Sequence, residues 1–311
     1  MSASPPACLI CLAPEPPDEG GHHRACLERL FDADALPRMD FERATIIAWP
    51  RRRGVKMSIS GAQPKASLRL SADRSALFPT DHDGTYLVKP ELLTYAGAPE
   101  NEHLTMCLAR LVGLRVAECG LFKLKDGTFA YVTRRFDRVG PPIRKLRFED
   151  FCQLSGRPSA AKGSGTAEEC AALALRHAGP EGALDLFRLC LFSYWVGNGD
   201  LHLKNIALLE APGGRFRLSP AYDLLCTHLY GDTSMTLPVG TRTRDIPRPV
   251  WIELALRHCA MDRVAADDLI DAMLDMRAAA LEMIERSALP GSQLKRRYQW
   301  LLGKRSRALR R

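Results

Sequence analysis

A helix with no polar face, followed at once by a polar loop, is the feature that most constrains this chain. Residues 184–196 are nearly all apolar, which predicts a helix buried on every side. The next nine residues, 197–205, read Gly-Asn-Gly-Asp-Leu-His-Leu-Lys-Asn. Residues 205–209 and Phe216–Leu218 then predict a short hairpin around Gly213–Gly214. The helix and the hairpin therefore hold both ends of a loop that is rich in charged and amide side chains.

The order of patterns along the chain predicts an α+β protein with two lobes. Short β-type runs dominate the first half, and helical patterns dominate the second. The predicted strands are Ala66–Leu70, 85–88 and 128–136, and the predicted helices are 100–112, 250–257, 265–286 and 292–302. We expect a Cys/His/Pro-rich segment at 1–40, a β-rich N-lobe at 41–138 and a helical C-lobe at 139–311.

Composition is typical of an ordinary globular protein. Of the 311 residues, 46% are hydrophobic and 26% are charged, and no apolar run reaches the length of a transmembrane helix. No secretory signal pattern opens the sequence, so the cytoplasm is the expected location. Most of the ten cysteines stand singly in apolar runs, which predicts buried free thiols and no disulfide framework.

The formal net charge is +8, and much of the excess lies between residues 295 and 311. A basic cluster of this kind favours an anionic partner such as nucleic acid. A solvated helix end with a frayed tail is the commoner origin of such a pattern. The sequence leaves both interpretations open.

Asp200, Lys204 and Asn205 form a pattern that a purely structural loop does not need. Phosphoryl transfer needs an Asp to accept the proton of the attacking hydroxyl and an Asn five residues later to ligate Mg²⁺. A Lys between them can offset charge on the transferring group. Asp223 follows Asn205 by eighteen residues, just past the predicted hairpin, where a second metal ligand is expected. Turn or helix capping explains either Asp alone, but the combination favours catalysis.

A second group of residues has the chemistry to bind a phosphate chain. Residues 58–65 read Ser-Ile-Ser-Gly-Ala-Gln-Pro-Lys, which is not a Walker A loop. Gly61 nevertheless permits close backbone approach, and Lys65 supplies charge. Lys89 ends a short apolar strand, where a charge is costly unless paired, and its candidate partners are ATP phosphates and Glu102. An ordinary Ser/Gly turn and a solvent-reaching Lys are the alternatives.

Four residues near the start of the chain have the spacing of a zinc site. Cys8, Cys11, His23 and Cys26 read C-x₂-C-x₁₁-H-x₂-C, with His22 as an alternative to His23. Tetrahedral Zn²⁺ takes four ligands of this kind. The segment is short and rich in proline, so a packed segment without metal accounts for the same residues. The spacing alone does not decide between the two.

Together these residues resemble the HipA family of bacterial toxin kinases, over about residues 55–290. The motifs that carry the resemblance are 58–65, 87–90 (Leu-Val-Lys-Pro), 101–102 with 108–109 and 113–114, 135–138 (Arg-Phe-Asp-Arg), 148–153 (Phe-Glu-Asp-Phe-Cys-Gln), 197–205 and 222–223. The resemblance implies a bilobed, protein-kinase-like fold of the HipA type. It also implies a serine/threonine protein kinase that uses ATP and Mg²⁺.

The resemblance assigns a role to each matching residue. Asp200 would be the catalytic Asp, and Asn205 and Asp223 would hold Mg²⁺. Lys89 would contact the α- and β-phosphates. The residues of the nucleotide site would be Ser60, Gly61, Ala62, Gln63, Lys65, Lys89, Arg135, Phe136, His202, Lys204, Asn205, Tyr222 and Asp223.

Two departures from the longer toxins of the family refine the resemblance. Arg135–Phe136 would lie at the hinge near adenine, but Arg134 stands where those toxins have a Glu, so only backbone contacts to adenine are expected. The longer toxins also have an extra N-terminal subdomain before the phosphate loop, which begins here at residue 58. This layout, and the pair Ser58 and Ser60, resembles the short HipT kinases of three-gene toxin–antitoxin systems, in which these serines are autophosphorylated.

The resemblance also implies partners. The substrate would be an aminoacyl-tRNA synthetase, with the tryptophanyl enzyme as the HipT example. The other partners would be a helix-turn-helix antitoxin and a small HipS-like protein. The kinase would contact DNA only indirectly, through the antitoxin, and no membrane partner is expected. Two other functions stay open: a basic nucleic-acid-binding module whose binding survives replacement of Asp200, and a small-molecule kinase. The joint presence of Asp200, Lys204, Asn205 and Asp223 argues against an idle module.

Overall fold

The computed structural model describes residues 7–15, 17–18, 21–49 and 64–311. These residues form two compact units. The first unit takes in the described part of Met1–Cys107, with Ala117–Ile143 and Met283–Pro290. The second takes in Leu108–Val116, Arg144–Glu282 and Gly291–Arg311. The predicted α+β class is confirmed, because strands dominate the first unit and helices dominate the second.

A five-stranded antiparallel sheet forms the centre of the first unit. In chain order its strands are β1 (Ala66–Leu70), β2 (Leu77–Pro79), β3 (Tyr86–Pro90), β4 (Cys119–Lys123) and β5 (Phe129–Arg134). Across the sheet the order is β2-β1-β3-β5-β4, so β3 is central and its register sets Lys89 opposite Tyr131. Helices α1 (Arg24–Phe31) and α2 (Arg43–Ala48) precede the sheet, and α3 (Ala98–Leu111) begins between β3 and β4.

The N-terminal segment packs against this sheet and shares its core. Phe31, at the end of α1, is fully buried. Its ring lies 5.5 Å from that of Tyr86 on β3 and 5.4 Å from that of Phe122 on β4, centroid to centroid. Burying an aromatic side chain of this size stabilises the fold by about 1.5–3 kcal/mol. Buried apolar side chains that precede β1 therefore belong to the hydrophobic core of the first unit.

Helices make up most of the second unit, around a small sheet. Two-residue strands β6 (Arg138–Val139) and β7 (Arg144–Lys145) lie in the segment that leads into it. The strands and α-helices that follow along the chain are β8 (Phe148–Asp150), α4 (Phe151–Leu154), α5 (Ala167–Val196), β9 (Ala207–Glu210), β10 (Phe216–Leu218), α6 (Arg248–His258), α7 (Arg263–Asp275), α8 (Arg277–Arg286) and α9 (Gly291–Leu309). β9 and β10 pair antiparallel, so the predicted hairpin is confirmed, and β8 adds a third strand beside β9.

Helix α5 is the core of the second unit. Thr166 caps its start by accepting the Glu169 N–H at 3.2 Å, as N-cap threonines do. A break falls at Gly179, whose φ is 69°. The following Pro180 disfavours helical geometry at this residue, and glycine can adopt the positive φ. Beyond the break, side chains up to Val196 are largely buried, which confirms the helix predicted at 184–196. No helix in the described part of the chain has both the length and the apolar character to cross a membrane.

The helix predictions were wrong in extent near the end of the chain. The single helix predicted at 265–286 is two helices, α7 and α8, separated at Met276. The helix predicted at 292–302 continues as α9 to Leu309, so the interpretation of a frayed tail is wrong for this stretch.

Part of the basic cluster is built into the core. Arg305 is 8% exposed. Its guanidinium lies 4.6 Å from the centre of the Tyr194 ring and donates to the Tyr194 carbonyl. Next to it, Ser306 accepts the Trp195 indole N–H at 2.9 Å. These contacts fix α9 against α5, so Arg305 is not part of an exposed basic surface.

The ten cysteines all lie in the described part of the chain, where none forms a disulfide and nine are buried. Burial raises the pKa of Cys170, Cys226 and Cys259 to about 12, so these thiols stay protonated at neutral pH. The prediction that most cysteines are buried is confirmed.

Replacing Arg305 tests its role in fixing α9. We expect Arg305→Ala to lower the free energy of unfolding by about 2–4 kcal/mol, because a charged hydrogen bond and a cation–π contact are lost. Urea denaturation followed by tryptophan fluorescence measures the change. Arg307→Ala removes the same charge from an exposed position of α9 and should cost less than about 0.5 kcal/mol. Equal losses for the two variants would contradict the account.

Candidate active site

The loop 197–205 begins where α5 ends, and Gly197 sets its direction. This residue has a φ of 78°, the left-handed conformation that favours glycine at helix ends. A Cβ at Gly197 would lie 2.4 Å from a Leu301 methyl carbon, so a side chain does not fit there. Close packing against α9 therefore requires glycine at this position.

Gly199 is held from both sides by threonine side chains. Its N–H donates to Thr227 Oγ1 at 2.7 Å, and its carbonyl accepts from Thr236 Oγ1 at 2.7 Å. A Cβ at Gly199 would lie 2.4 Å from both Asp232 Oδ2 and the Ser234 carbonyl oxygen. The backbone just before Asp200 is therefore fixed rather than free to adjust.

Asp200 carries a carboxylate that reaches solvent from this fixed backbone. Its side chain is 54% exposed, and its N–H donates to Oδ1 of the buried Asn198 at 3.2 Å. Partial desolvation raises the pKa of the Asp200 carboxyl, while the positive charge of Lys162 acts in the opposite direction. A carboxylate so presented can accept a proton from a hydroxyl bound beside it.

His202 is a buried, neutral neighbour of Asp200. It is 7% exposed, and its Nε2 lies 3.9 Å from Asp200 Oδ1. Burial lowers the pKa of His202, and the Lys162 charge lowers it further. Neutral Nε2 therefore accepts a hydrogen bond from Lys162 Nζ at 2.9 Å. Lys162 was missed from the sequence, because it lies 40 residues earlier in a loop with no motif of its own.

Asn205 and Asp223 meet side by side. Asn205 is 4% exposed, and its Nδ2 donates to Asp223 Oδ2 at 2.9 Å. Asp223 has a φ of 58°, an uncommon left-handed conformation for a residue with a side chain. Such backbone strain clusters at functional sites. The amide and the carboxylate predicted as metal ligands are therefore brought together.

Lys204 points toward Asp150, a residue of the 148–153 motif for which the sequence predicted no role. Lys204 Nζ lies 3.3 Å from Asp150 Oδ2 and 3.3 Å from Ser159 Oγ. Asp150 also caps α4 by accepting the Gln153 N–H at 2.9 Å. Tyr222 donates its hydroxyl proton to the Lys204 carbonyl at 2.7 Å. These contacts fix both the backbone and the ammonium group of Lys204.

In the first unit, Lys89 and Glu102 form the predicted ion pair. Lys89 Nζ lies 2.7 and 2.9 Å from the two carboxylate oxygens of Glu102. The residues are 6% and 1% exposed, and the Lys89 ammonium lies 5.7 Å from the centre of the Tyr131 ring. A buried pair of this kind stabilises little in net terms, because both charges lose their hydration.

The other predicted residues of the first unit are only partly described. Arg134 is bonded to both carboxylate oxygens of Asp32, at 3.0 and 2.8 Å, so its side chain is engaged with the N-terminal segment. Arg135 is likewise paired with Asp137 at 3.0 Å, Phe136 is half-buried and Lys65 is exposed. The predicted residues Ser58, Ser60, Gly61, Ala62 and Gln63 lie outside the described residues.

The oxygen donors of Asn205 and Asp223 suit Mg²⁺. This cation prefers carboxylate, amide and water oxygens and is commonly held by only one or two protein carboxylates. The two side chains are already 2.9 Å apart, and a rotation of the Asn205 amide would present its oxygen beside the carboxylate. The residues present therefore fit this ion.

Two solved structures define the fold. The Shewanella oneidensis HipA structure, solved with HipB and operator DNA, aligns with a TM-score of 0.69 at 22% identity, over 81% of this chain and 65% of that one. The Helicobacter pylori kinase CtkA aligns with a TM-score of 0.55 at 12% identity, over 78% of this chain and 90% of that one. The chain therefore has the HipA-type, protein-kinase-like fold.

The family follows from the sequence match. The HipA-like C-terminal domain matches residues 57–281, more than half of the chain. The chain belongs to the HipA-like family.

Relatives with kinase names agree with this assignment. Y4mE of Sinorhizobium fredii and a Haemophilus influenzae protein, both bearing the name "Putative kinase", are 34% and 27% identical to this chain. These matches cover 61% and 76% of this chain and 48% and 74% of the relatives. The serine/threonine-protein kinase toxin HipA of S. oneidensis is 27% identical, over 63% of this chain and 49% of that protein. The chain thus spans about half the length of Y4mE and of this HipA.

Replacing Lys162 tests the electrostatics beside Asp200. We expect Lys162→Met to raise the pKa of His202, because the variant removes both a nearby positive charge and the hydrogen bond to the neutral imidazole. An NMR titration of the imidazole resonances, assigned with a His202→Gln sample, measures this pKa. Lys204→Met removes an equal charge that pairs with Asp150 instead, and should leave the His202 pKa nearly unchanged. An unaltered His202 pKa in Lys162→Met would contradict the arrangement.

Proposed function

We propose that this protein is a serine/threonine protein kinase that transfers the γ-phosphoryl group of ATP to a protein hydroxyl. The observation that carries the proposal is the grouping of Asp200, Asn205 and Asp223 in the second unit, with the first carboxylate exposed and the other two side chains in contact. Family membership over residues 57–281 supports the same reaction.

Asp200 acts as the catalytic base in this proposal. The acceptor hydroxyl oxygen attacks the γ-phosphorus, the bond from that phosphorus to the β–γ bridging oxygen breaks, and ADP leaves. The hydroxyl proton passes to the Asp200 carboxylate. The Lys162 ammonium, which donates to neutral His202, opposes the desolvation that raises the pKa of this carboxyl. Lys162 is thus a positioning residue rather than a catalytic one.

Asn205 and Asp223 would hold Mg²⁺. When bound, the ion neutralises charge on the phosphates and orients them. The protein's own contribution is the fixed placement of the two ligands, which the bond between them and the left-handed backbone of Asp223 support.

The remaining predicted residues bind the nucleotide. Lys89 would contact the α- and β-phosphates, and its ammonium group is bonded to Glu102. Lys204 offsets charge on the transferring group, while His202 and Tyr222 support the loop. In this proposal the backbone of Arg135 and Phe136 would contact the adenine, and Ser60, Gly61, Ala62, Gln63 and Lys65 would contribute to phosphate binding.

We further propose that the kinase is a toxin of a toxin–antitoxin module. The S. oneidensis relative is named as a kinase toxin, and its structure was solved with HipB and operator DNA, which supports a helix-turn-helix antitoxin as a partner. In the HipT-like form, a small HipS-like protein is a second partner. The substrate is an aminoacyl-tRNA synthetase in the cytoplasm, with the tryptophanyl enzyme as the first candidate.

Autophosphorylation on Ser58 or Ser60 is the proposed control of activity. A phosphate on the nucleotide-binding loop would repel the phosphates of ATP or draw the loop away from them. The two serines stand within the segment matched by the family, as in the short HipT kinases that the sequence resembles.

The test is phosphate incorporation into the purified protein incubated with ATP and Mg²⁺. We expect intact-mass spectra to show phosphate that peptide mapping places on Ser58 or Ser60. Asp200→Asn should slow incorporation by about 10²–10⁴-fold, because a general base is removed. A double variant, Ser58→Ala with Ser60→Ala, should lose the incorporated phosphate even though its Asp200 is unchanged.

The matched control is Asp268→Asn, which makes the same change on the exposed face of α7 and should keep the wild-type rate. Incorporation that persists at full rate in Asp200→Asn would contradict the kinase assignment. Label confined to residues other than the two serines would contradict the proposed control but not the kinase. Transfer only to added small molecules, with none to protein, would favour a small-molecule kinase.

A further inference from the structure

Four side chains of the N-terminal segment converge on one point. They are Cys8, Cys11, His23 and Cys26, and all of their ligand atoms lie within 4.8 Å of one another. Cys8 and Cys26 are buried, and Cys11 and His23 are half-buried. The kinase reaction has no use for these residues, so the convergence needs its own explanation.

The distances suit a single tetrahedral ion. With metal–sulfur bonds of about 2.3 Å and metal–nitrogen bonds of about 2.0 Å, tetrahedral zinc separates its ligand atoms by roughly 3.5–3.8 Å. The Nδ1 atom of His23 lies 3.3 Å from Cys11 Sγ and 3.8 Å from Cys26 Sγ. The cluster is therefore close to the required size before any ion is added.

The histidine has the orientation of a metal ligand. His23 Nε2 lies 3.3 Å from the Glu15 carbonyl oxygen, which can only accept a hydrogen bond. Nε2 therefore carries the proton, and Nδ1 presents its lone pair to the three sulfurs. Zinc-bound histidines commonly have their second nitrogen bonded in this way.

The surroundings also favour thiolate sulfur. The His23 backbone N–H donates to Cys8 Sγ at 3.4 Å, and Arg29 Nη2 lies 3.7 Å from Cys26 Sγ. Cys26 stands in the first turn of α1, where the helix dipole favours negative charge. Three thiolates and one ion leave one excess negative charge, and Arg29 is the cation beside it.

We propose that Cys8, Cys11, His23 and Cys26 bind one structural Zn²⁺. Four protein ligands complete the tetrahedron and leave no open position, which is the property of structural rather than catalytic zinc. The metal-free packed segment, left open by the sequence, does not account for the orientation of His23 or for three sulfurs around one nitrogen.

The site would secure the turn between Cys8 and Cys11 to the rest of the first unit. The Leu9 carbonyl accepts the Leu121 N–H at 2.8 Å, which covers the open edge of β4. The Ile10 carbonyl lies 3.4 Å from His103 Nε2 and 3.5 Å from Cys107 Sγ, both on α3. Zinc therefore stabilises the contacts of the helix that also carries Glu102.

The test is the metal content of the 311-residue chain, expressed in zinc-supplemented medium and purified in metal-free buffer. We expect elemental analysis to find about one zinc per chain. His23→Ala should lose the zinc, whereas His23→Cys should keep it, because four thiolates form an equally complete set. Cobalt exchanged into the wild type should show thiolate-to-cobalt charge transfer and the strong visible bands of a tetrahedral centre.

The control is Cys170→Ala, which removes a buried thiol of α5 and should leave one zinc per chain. The cobalt spectrum of His23→Cys should shift relative to wild type, a change that a merely structural role of His23 would not produce. Absence of zinc from the wild type, unchanged zinc in His23→Ala, or a disulfide among the three cysteines in the intact mass would each overturn the proposal. Metal content does not depend on phosphoryl transfer, so this result is independent of the proposed function.

Discussion

The hydrogen bond between Asn205 and Asp223 is the contact around which the candidate site is built, and the small sheet makes it possible. Asn205 precedes β9 and Asp223 follows β10, so antiparallel pairing of the two strands brings residues eighteen positions apart to 2.9 Å. A register slip of one residue would send alternate side chains to the other face and separate them. The hydrophobic pairing of Leu208 with Leu218 thus determines the position of two polar groups.

The rest of the site is held by contacts that stabilise the fold little by themselves. Asp200 follows a glycine with no room for a side chain, and Lys204 is fixed by Asp150. In the first unit, taken by itself, the buried pair of Lys89 and Glu102 gives up the hydration of both charges. A fold selected for stability alone gains little from such groups, so their presence supports a function for them.

Signals local in sequence predicted most of the fold and much of the site. The apolar run before Gly197 predicted a buried helix, and the turn residues between two β-type runs predicted the hairpin. Glu102 was one of the candidate partners that the sequence offered for Lys89. Long-range pairings could not be predicted, because neither Lys162 nor Arg305 lies in a sequence motif that identifies its partner. The separation of α7 from α8 at Met276 was also missed, since no glycine or proline marks it. These features are decided by tertiary packing rather than by local pattern.

The most direct test of the central claim is nucleotide binding measured by calorimetry with and without Mg²⁺. The wild type should bind a non-hydrolysable ATP analogue more tightly with the ion, and Asp223→Asn should remove this gain, about tenfold or more, because a metal ligand is lost. Asp268→Asn should keep it. Mg²⁺-dependent affinity that is unchanged in a correctly folded Asp223→Asn would contradict the claim that Asn205 and Asp223 form the metal site of a kinase.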